Sequence, residues 1–173
     1  MKVKAIFLLL LLSHIMFASL VDIKSFDADF KQIITDEKGV QLIYKGHIRA
    51  LSPKYALWEY KTPIKKSIYV RPAEIVIVEP EIEQAIVRKL AFDLDFFKMI
   101  SNAKKISKNY YIATLNEMEY SIKIKNKLID SISYKDDFDN KINILFTNQI
   151  QNKSILKNIF TPLIPKDYDI ISE

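Results

Sequence analysis

Residues 25–51 read SFDADFKQIITDEKGVQLIYKGHIRAL, and their alternation decides the fold class. Phe26, Ala28 and Phe30 fall on one face, with Asp27, Asp29 and Lys31 on the other. After the turn DEKG, Val40, Leu42, Tyr44, Gly46, Ile48 and Ala50 alternate with Gln41, Lys45, His47 and Arg49. Period two is the mark of a strand with one face buried and one wet. Gly39 supplies the positive φ that such a hairpin turn requires. Outward from this hairpin, the pattern predicts strands over 54–61, 66–71, 74–79 and 82–89. A second series follows over 109–115, 118–125, 127–134 and 141–150. This many short strands imply a mainly β (α+β) domain built on a strongly curved antiparallel sheet, an incomplete β-barrel.

Two stretches break the alternation. FDLDFFKMISNA, residues 92–103, spaces Leu94, Phe97, Met99 and Ile100 near helical intervals, with Asp93 as N-cap. NKSILKNIFTPLIPKDYDII, residues 152–171, predicts a helical turn around Ile155, Leu156 and Ile159 before two prolines end regular structure. Short helices of this kind suit a lid over the apolar concave face of the sheet.

The first residues, MKVKAIFLLLLLSHIMFAS, place Lys2 and Lys4 before an apolar run from Ala5 to Leu12 and a small residue at Ala18. That order predicts a secretory signal peptide over 1–18, cleaved after Ala18. Ser13 and His14 interrupt the run well short of the ~18 apolar residues a membrane span needs. Residues 19–173 are expected to form one exported domain, with the periplasm as its compartment. Losing residues 1–18 leaves 24 basic against 21 acidic residues. The lysines are dispersed, so no basic stripe marks a nucleic-acid partner.

Several chemistries are excluded by composition. The chain has no cysteine and only two glycines. Disulfides, thiolate nucleophiles and glycine-rich phosphate loops are therefore absent. His47 is the single imidazole after residue 18, on the polar face of its strand, and reads as a solvated strand residue. KDDFDNK, residues 135–141, lacks the central glycine and terminal glutamate of a calcium loop and reads as an acidic hairpin turn. In EPEIEQ, Glu79, Glu81 and Glu83 share one strand face by alternation and read as a solvated edge. No enzyme, metal or cofactor is expected. The ten Phe and nine Tyr instead supply a core, or the wall of an apolar cavity.

Three stretches tie the chain to a known family. SFDADFKQ resembles the opening strand of the periplasmic outer-membrane lipoprotein carriers (LolA family), typically S-F-x-A-x-F-x-Q. SPKYALWEYKTP, residues 52–63, is similar to the family's next signature: a proline, a tryptophan five residues on, an aromatic and a second proline. IYVRPAEIVIVEPEIEQAIVRKL, residues 68–90, resembles its acid-Pro-x-aliphatic-x-Gln segment, here Glu79, Pro80, Ile82 and Gln84. The resemblance implies an incomplete barrel whose cavity holds the acyl chains of a lipoprotein. It also implies acylated lipoproteins as cargo, an inner-membrane lipoprotein-releasing ABC transporter as donor and, if one is present, an outer-membrane acceptor. A monomer without catalysis is expected. By parity, Phe26, Ala28, Phe30, Ala56, Trp58, Tyr60, Ile68, Val70, Val76 and Val78 would line the cavity, and Leu94, Phe97 and Ile100 the lid.

The chain departs from the family pattern in two places. Ser52 occupies the position where members commonly carry an arginine that latches the lid, and Arg49 lies on the opposite parity. Ala56 stands where a cavity-facing aromatic is usual. The related outer-membrane acceptor needs an acylated N-terminal cysteine, which this sequence lacks. A different class, an envelope-stress sensor or protein-binding scaffold of related half-barrel fold, would present Trp58 to solvent. A secreted hydrolase would have to depend on His47.

Overall fold

The structure is a computed structural model that describes residues 23–89 and 96–172. Residues 1–18, Asp93 and Leu94 lie outside those described. Among the described residues, twelve strands form one sheet. In chain order they are β1 (Ser25–Thr35), β2 (Gln41–Leu51), β3 (Tyr55–Thr62), β4 (Lys66–Val70), β5 (Glu74–Glu79), β6 (Gln84–Lys89), β7 (Lys104–Ser107), β8 (Tyr110–Leu115), β9 (Met118–Lys125), β10 (Leu128–Lys135), β11 (Lys141–Gln151) and β12 (Asp169–Ser172). One short helix, α1 (Phe96–Ser101), precedes β7. Across the sheet the order is β12-β6-β5-β4-β3-β2-β1-β11-β10-β9-β8-β7, curved but not closed. Every pairing is antiparallel except β12 against β6.

The predicted strands recur within a residue or two of these bounds, save that β6 begins at Gln84. Pro80–Ile82 form a 3-10 turn, and Glu83 follows with φ 52°. Glu79, Glu81 and Glu83 therefore do not share a strand face. Proline at the first turn position fits a turn and not a strand interior.

The two hairpin turns flanking the centre of the sheet repeat one device. In 36–40, the Asp36 carboxylate accepts the amides of Lys38 and Val40 at 2.9 and 2.8 Å. In 136–140, Asp136 accepts those of Phe138 and Asn140 at 3.0 and 2.9 Å. Asp side chains of this kind mimic a backbone turn. Gly39 (φ 81°) in the first turn is matched by Asp139 (φ 60°) in the second. KDDFDNK is thus a hairpin turn.

One face of the sheet, the inner face, carries the main core. Phe26, Ala28, Phe30, Ile48, Ala50, Ala56, Val70, Ile122, Ile132, Ile144 and Phe146 pack there with Phe97, Met99 and Ile100 of α1. Phe26 meets Phe96 at 5.2 Å and Phe146 at 5.1 Å between ring centroids, distances at which tilted and edge-on rings attract. The outer face has a smaller buried set. Leu57, Val76, Val78, Ala85 and Phe160 are buried yet separate from the main core. Phe160 belongs to a 3-10 turn, Lys157–Phe160, and stacks on Tyr55 at 5.6 Å. The C-terminal turn therefore covers the outer face, and α1 the inner one.

Candidate functional site: an apolar row on the inner face

Strand register shows which side chains share the inner face, because directly paired residues point the same way. Phe30 pairs with Gly46, Ala28 with Ile48, Ile48 with Trp58, and Trp58 with Ile68. From there Ile68 pairs with Ile77, Ile77 with Ile86, and Ile86 with Ile171. The result is a continuous apolar row from β1 to β12. Its β1–β2 end is fully buried under the core, while Trp58, Ile68, Ile77 and Ile86 are only half-buried.

Phe26, Ala28, Phe30, Ala56, Trp58, Tyr60, Ile68 and Val70 all lie on this face, and Phe97 and Ile100 are buried against it. Val76 and Val78 do not. Tyr69 pairs with Val76 and Ser67 with Val78, so both valines share the outer face with Leu57. Four residues separate Val70 from its partner Ile75, and Arg71 closes this turn by donating to the Glu74 carbonyl at 2.9 Å. An even number of intervening residues pairs even positions with odd ones and swaps the parity. Ile75 and Ile77 are the inner-face residues that alternation carried straight across the turn misses, and the length of RPAE is the signal that finds them; the four residues between Glu79 and Gln84 swap the parity back, so Ile86 is again an even-numbered inner-face residue.

At one end of the row the rings converge. Phe30 contacts Trp58 at 5.1 Å and Tyr60 at 5.0 Å, both edge-on, and Tyr44 meets Tyr60 at 5.6 Å. The Tyr60 hydroxyl donates to Gln32 Oε1 at 2.8 Å. Burial raises the Tyr60 hydroxyl far above its ordinary pKa, and pushes Tyr134 up to about 12. Lys66 Nζ sits 5.0 Å from the Tyr60 ring centroid and 5.6 Å from that of Tyr44, an attraction between ammonium and ring quadrupole. Gly46 makes room for Phe30: a Cβ there would lie 2.7 Å from the ring.

The polar chemistry lies on the other face. His47 is held between Asp27 (Nε2 to Oδ1, 2.9 Å) and Asp29 (Nδ1 to Oδ1, 2.8 Å). It is partly enclosed by carboxylates and not simply solvated. Hydrogen bonds from His47 and Asn148 hold the Asp29 carboxyl below its usual range. Arg49 also points outward and pairs with Glu59, so it does not stand in for an inner-face latch at Ser52. Ser52 donates its amide to the Lys24 carbonyl at 2.8 Å. Among the described residues no three His, Cys, Asp or Glu side chains converge as metal ligands. A cleft of about 780 Å³ opens between the turns at 116–117 and 136–140, with Ser121, Ser133 and Asn143 in its wall. It shares no residue with the apolar row.

A family model described as "Outer membrane lipoprotein carrier protein LolA" matches residues 22–162. The chain belongs to the LolA family. This LolA-family chain is 36% identical over 156 residues to the outer-membrane lipoprotein carrier protein of Campylobacter jejuni, covering 90% of this chain and 91% of the relative. It is also 36% identical over 151 residues to the protein of that name from Helicobacter pylori strain J99, covering 87% and 80%. Among solved structures, an uncharacterized conserved protein from Thermus thermophilus superposes with a TM-score of 0.55 at 10% identity, over 91% of this chain and 94% of that one. At that identity the likeness concerns the fold alone.

Proposed function

We propose that this protein is a periplasmic carrier, without catalysis or cofactor, that holds the acyl chains of lipoproteins against the inner face of its sheet. The half-buried row Trp58–Ile68–Ile77–Ile86, running on from a fully buried core, is the observation that carries this reading. Each buried CH₂ contributes roughly 0.8 kcal/mol, so a lipoprotein's chains leave a bilayer only for another apolar surface. Residues that are half-covered supply that surface without the tight interdigitation that would exclude a guest. Membership in the carrier family supports the same assignment.

In this reading residues 1–18 are a cleaved leader and 19–173 the carrier domain. The cargo is acylated lipoprotein, the donor an inner-membrane lipoprotein-releasing ABC transporter, and the recipient the outer membrane, through an acceptor if one is present; the carrier works as a monomer. The wall comprises Phe30, Trp58, Tyr60, Ile68, Ile75, Ile77 and Ile86, with α1 as part of the lid. The scaffold alternative calls for a solvent-exposed Trp58; here Trp58 is half-buried against Phe30.

Trp58 is the chain's only tryptophan, which makes the test direct. Titration with a long-chain amphiphile should shift or quench its emission in a saturable way. Unchanged emission from folded protein at saturating amphiphile would exclude a binding surface at Trp58.

A further inference from the structure

An antiparallel meander sends alternate turns to opposite ends of the sheet, and here the two ends differ in charge. The end at which β1 begins collects the β2–β3, β4–β5, β7–β8 and β9–β10 turns. These turns contribute Lys54, Arg71, Lys108 and Lys127, and their residues 52–54, 71–73, 108–109 and 126–127 include no acid. Lys89 ends β6, and Lys153 follows β11, at the same end. Lys125, the last residue of β9, adds to them. Glu74, the first residue of β5, is ion-paired with Arg71 at 2.7 Å. The opposite end carries DEKG, PEIE, NE and DDFDN in its turns, with Lys38 and Lys65 as the basic turn residues; at the strand ends there, Lys66, Lys104, Lys135 and Lys141 accompany Glu79 and Asp169, so acids still outnumber bases. The excess of basic residues is thus concentrated at one end of the strands.

Exposed apolar side chains accompany the basic end as well. Leu128 opens β10 at 38% exposure, and Leu156 stands 71% exposed between Lys153 and Lys157. Lys157 Nζ lies 4.7 Å from the Tyr55 ring centroid, which fixes this segment beside the start of β3. Phe138 and Ile82 are exposed at the acidic end too, so the sign of the charge, not hydrophobicity, distinguishes the two.

We propose that the basic end is a docking surface for anionic lipid bilayers, with lysines against the phosphates and Leu128 and Leu156 at the headgroup level. Its breadth favours this partner over a folded acidic protein. The positive charges are spread over four turns and the chain after β11 and do not converge on one groove. Most are lysines, point charges without the bidentate fork that selects a particular carboxylate or phosphate. Near an anionic membrane each such charge strengthens partitioning by ~5-fold at moderate salt. The inference concerns the empty protein and does not rest on the carrier assignment.

The test is flotation of the purified protein with vesicles free of lipoprotein, either pure phosphatidylcholine or phosphatidylcholine mixed with phosphatidylglycerol. Binding to the mixed vesicles alone, weakened by salt, is expected. The triple variant K108E/K125E/K127E removes three positive charges and adds three negative ones, so it should lose at least about 100-fold in partitioning. K38E/K65E/K141E changes net charge by the same amount at the acidic end and should retain binding. Circular dichroism and melting confirm that both variants are folded. No binding by the wild type, equal binding to both vesicle types, or equal losses in the two triples would overturn the proposal. So would polyglutamate capturing the protein as tightly as the mixed vesicles, which would assign the surface to an acidic polypeptide. Because the vesicles hold no cargo, failure here leaves the carrier assignment standing, and Trp58 titration tests that separately.

Discussion

Gly46→Ala adds one methyl group where β2 passes between Phe30 and β3. Gly46 pairs with Phe30 on one side and Tyr60 on the other, beside a register irregularity at Lys45. The added Cβ would lie 2.1 Å from the Glu59 carbonyl oxygen and 2.7 to 2.8 Å from two carbons of the Phe30 ring. Phe30 can tilt only by giving up its edge contacts with Trp58 and Tyr60. The carbonyl is backbone, so β3 must move outward by about 1 Å to restore ordinary separation. Overpacking costs about 1–3 kcal/mol as a rule, and a clash with main chain puts this case at about 3 kcal/mol or above. For a domain of this size that lowers the melting temperature by about 6–12 °C. Thermal unfolding followed by circular dichroism measures it, and Trp58 emission reports whether Phe30 has moved. Adding Phe30→Ala removes one of the two clashes, so the double variant should melt higher than the summed single effects predict. A melting temperature within about 2 °C of wild type, with unchanged Trp58 emission, would refute the packing described for this face.

Three further outcomes follow from the same geometry. Ile77→Ser should leave the protein folded yet weaken amphiphile binding, whereas Val76→Ser, at a position buried on the outer face, should lower stability by about 1–3 kcal/mol and leave binding intact; the reverse pattern would contradict the register of β4 and β5. Asp29 has a depressed folded-state pKa, so its contribution is present above the ordinary carboxylate range and lost as pH falls below about 4; Asp29→Asn should lower stability at neutral pH and flatten that acid-side loss in melting scans. Tyr134 holds its proton to about pH 12, so the stability it contributes is present below the unfolded value near 10 and lost as pH rises toward 12; absorbance titration at high pH should show Tyr134→Phe removing a late-ionising phenol and reducing that alkaline loss.

Much of this architecture is legible in the order of residues, for identifiable reasons. The alternation of SFDADFKQ and YKGHIRAL is strict because each strand has one buried and one polar face, so strand existence and facing can be read together. That clarity ends where both faces are apolar. IVIV in β5 and AIV in β6 are apolar at every position: Ile75, Ile77 and Ile86 lie on the inner face, and Val76, Val78 and Ala85 are buried on the outer one. Periodicity there cannot say which valine or isoleucine faces which way, and the lengths of the turns at RPAE and PEIE decide. β7 and β12 escape for the opposite reason, since KKIS and DIIS are short, exposed edge strands whose pairing depends on distant partners. Trp58 is readable as an inner-face residue because β2, β3 and β4 pair without a parity change. Its edge contact with Phe30, by contrast, depends on Gly46 across the sheet.

The most direct measurement of the central claim is release of a radiolabelled, acylated lipoprotein from spheroplasts, with and without this protein in the medium. Carriage predicts a soluble one-to-one complex of protein and lipoprotein, and loss of that complex when Trp58 and Ile77 are replaced by charged residues in variants that still fold. Lipoprotein remaining with the spheroplasts in the presence of active, folded protein would contradict the account.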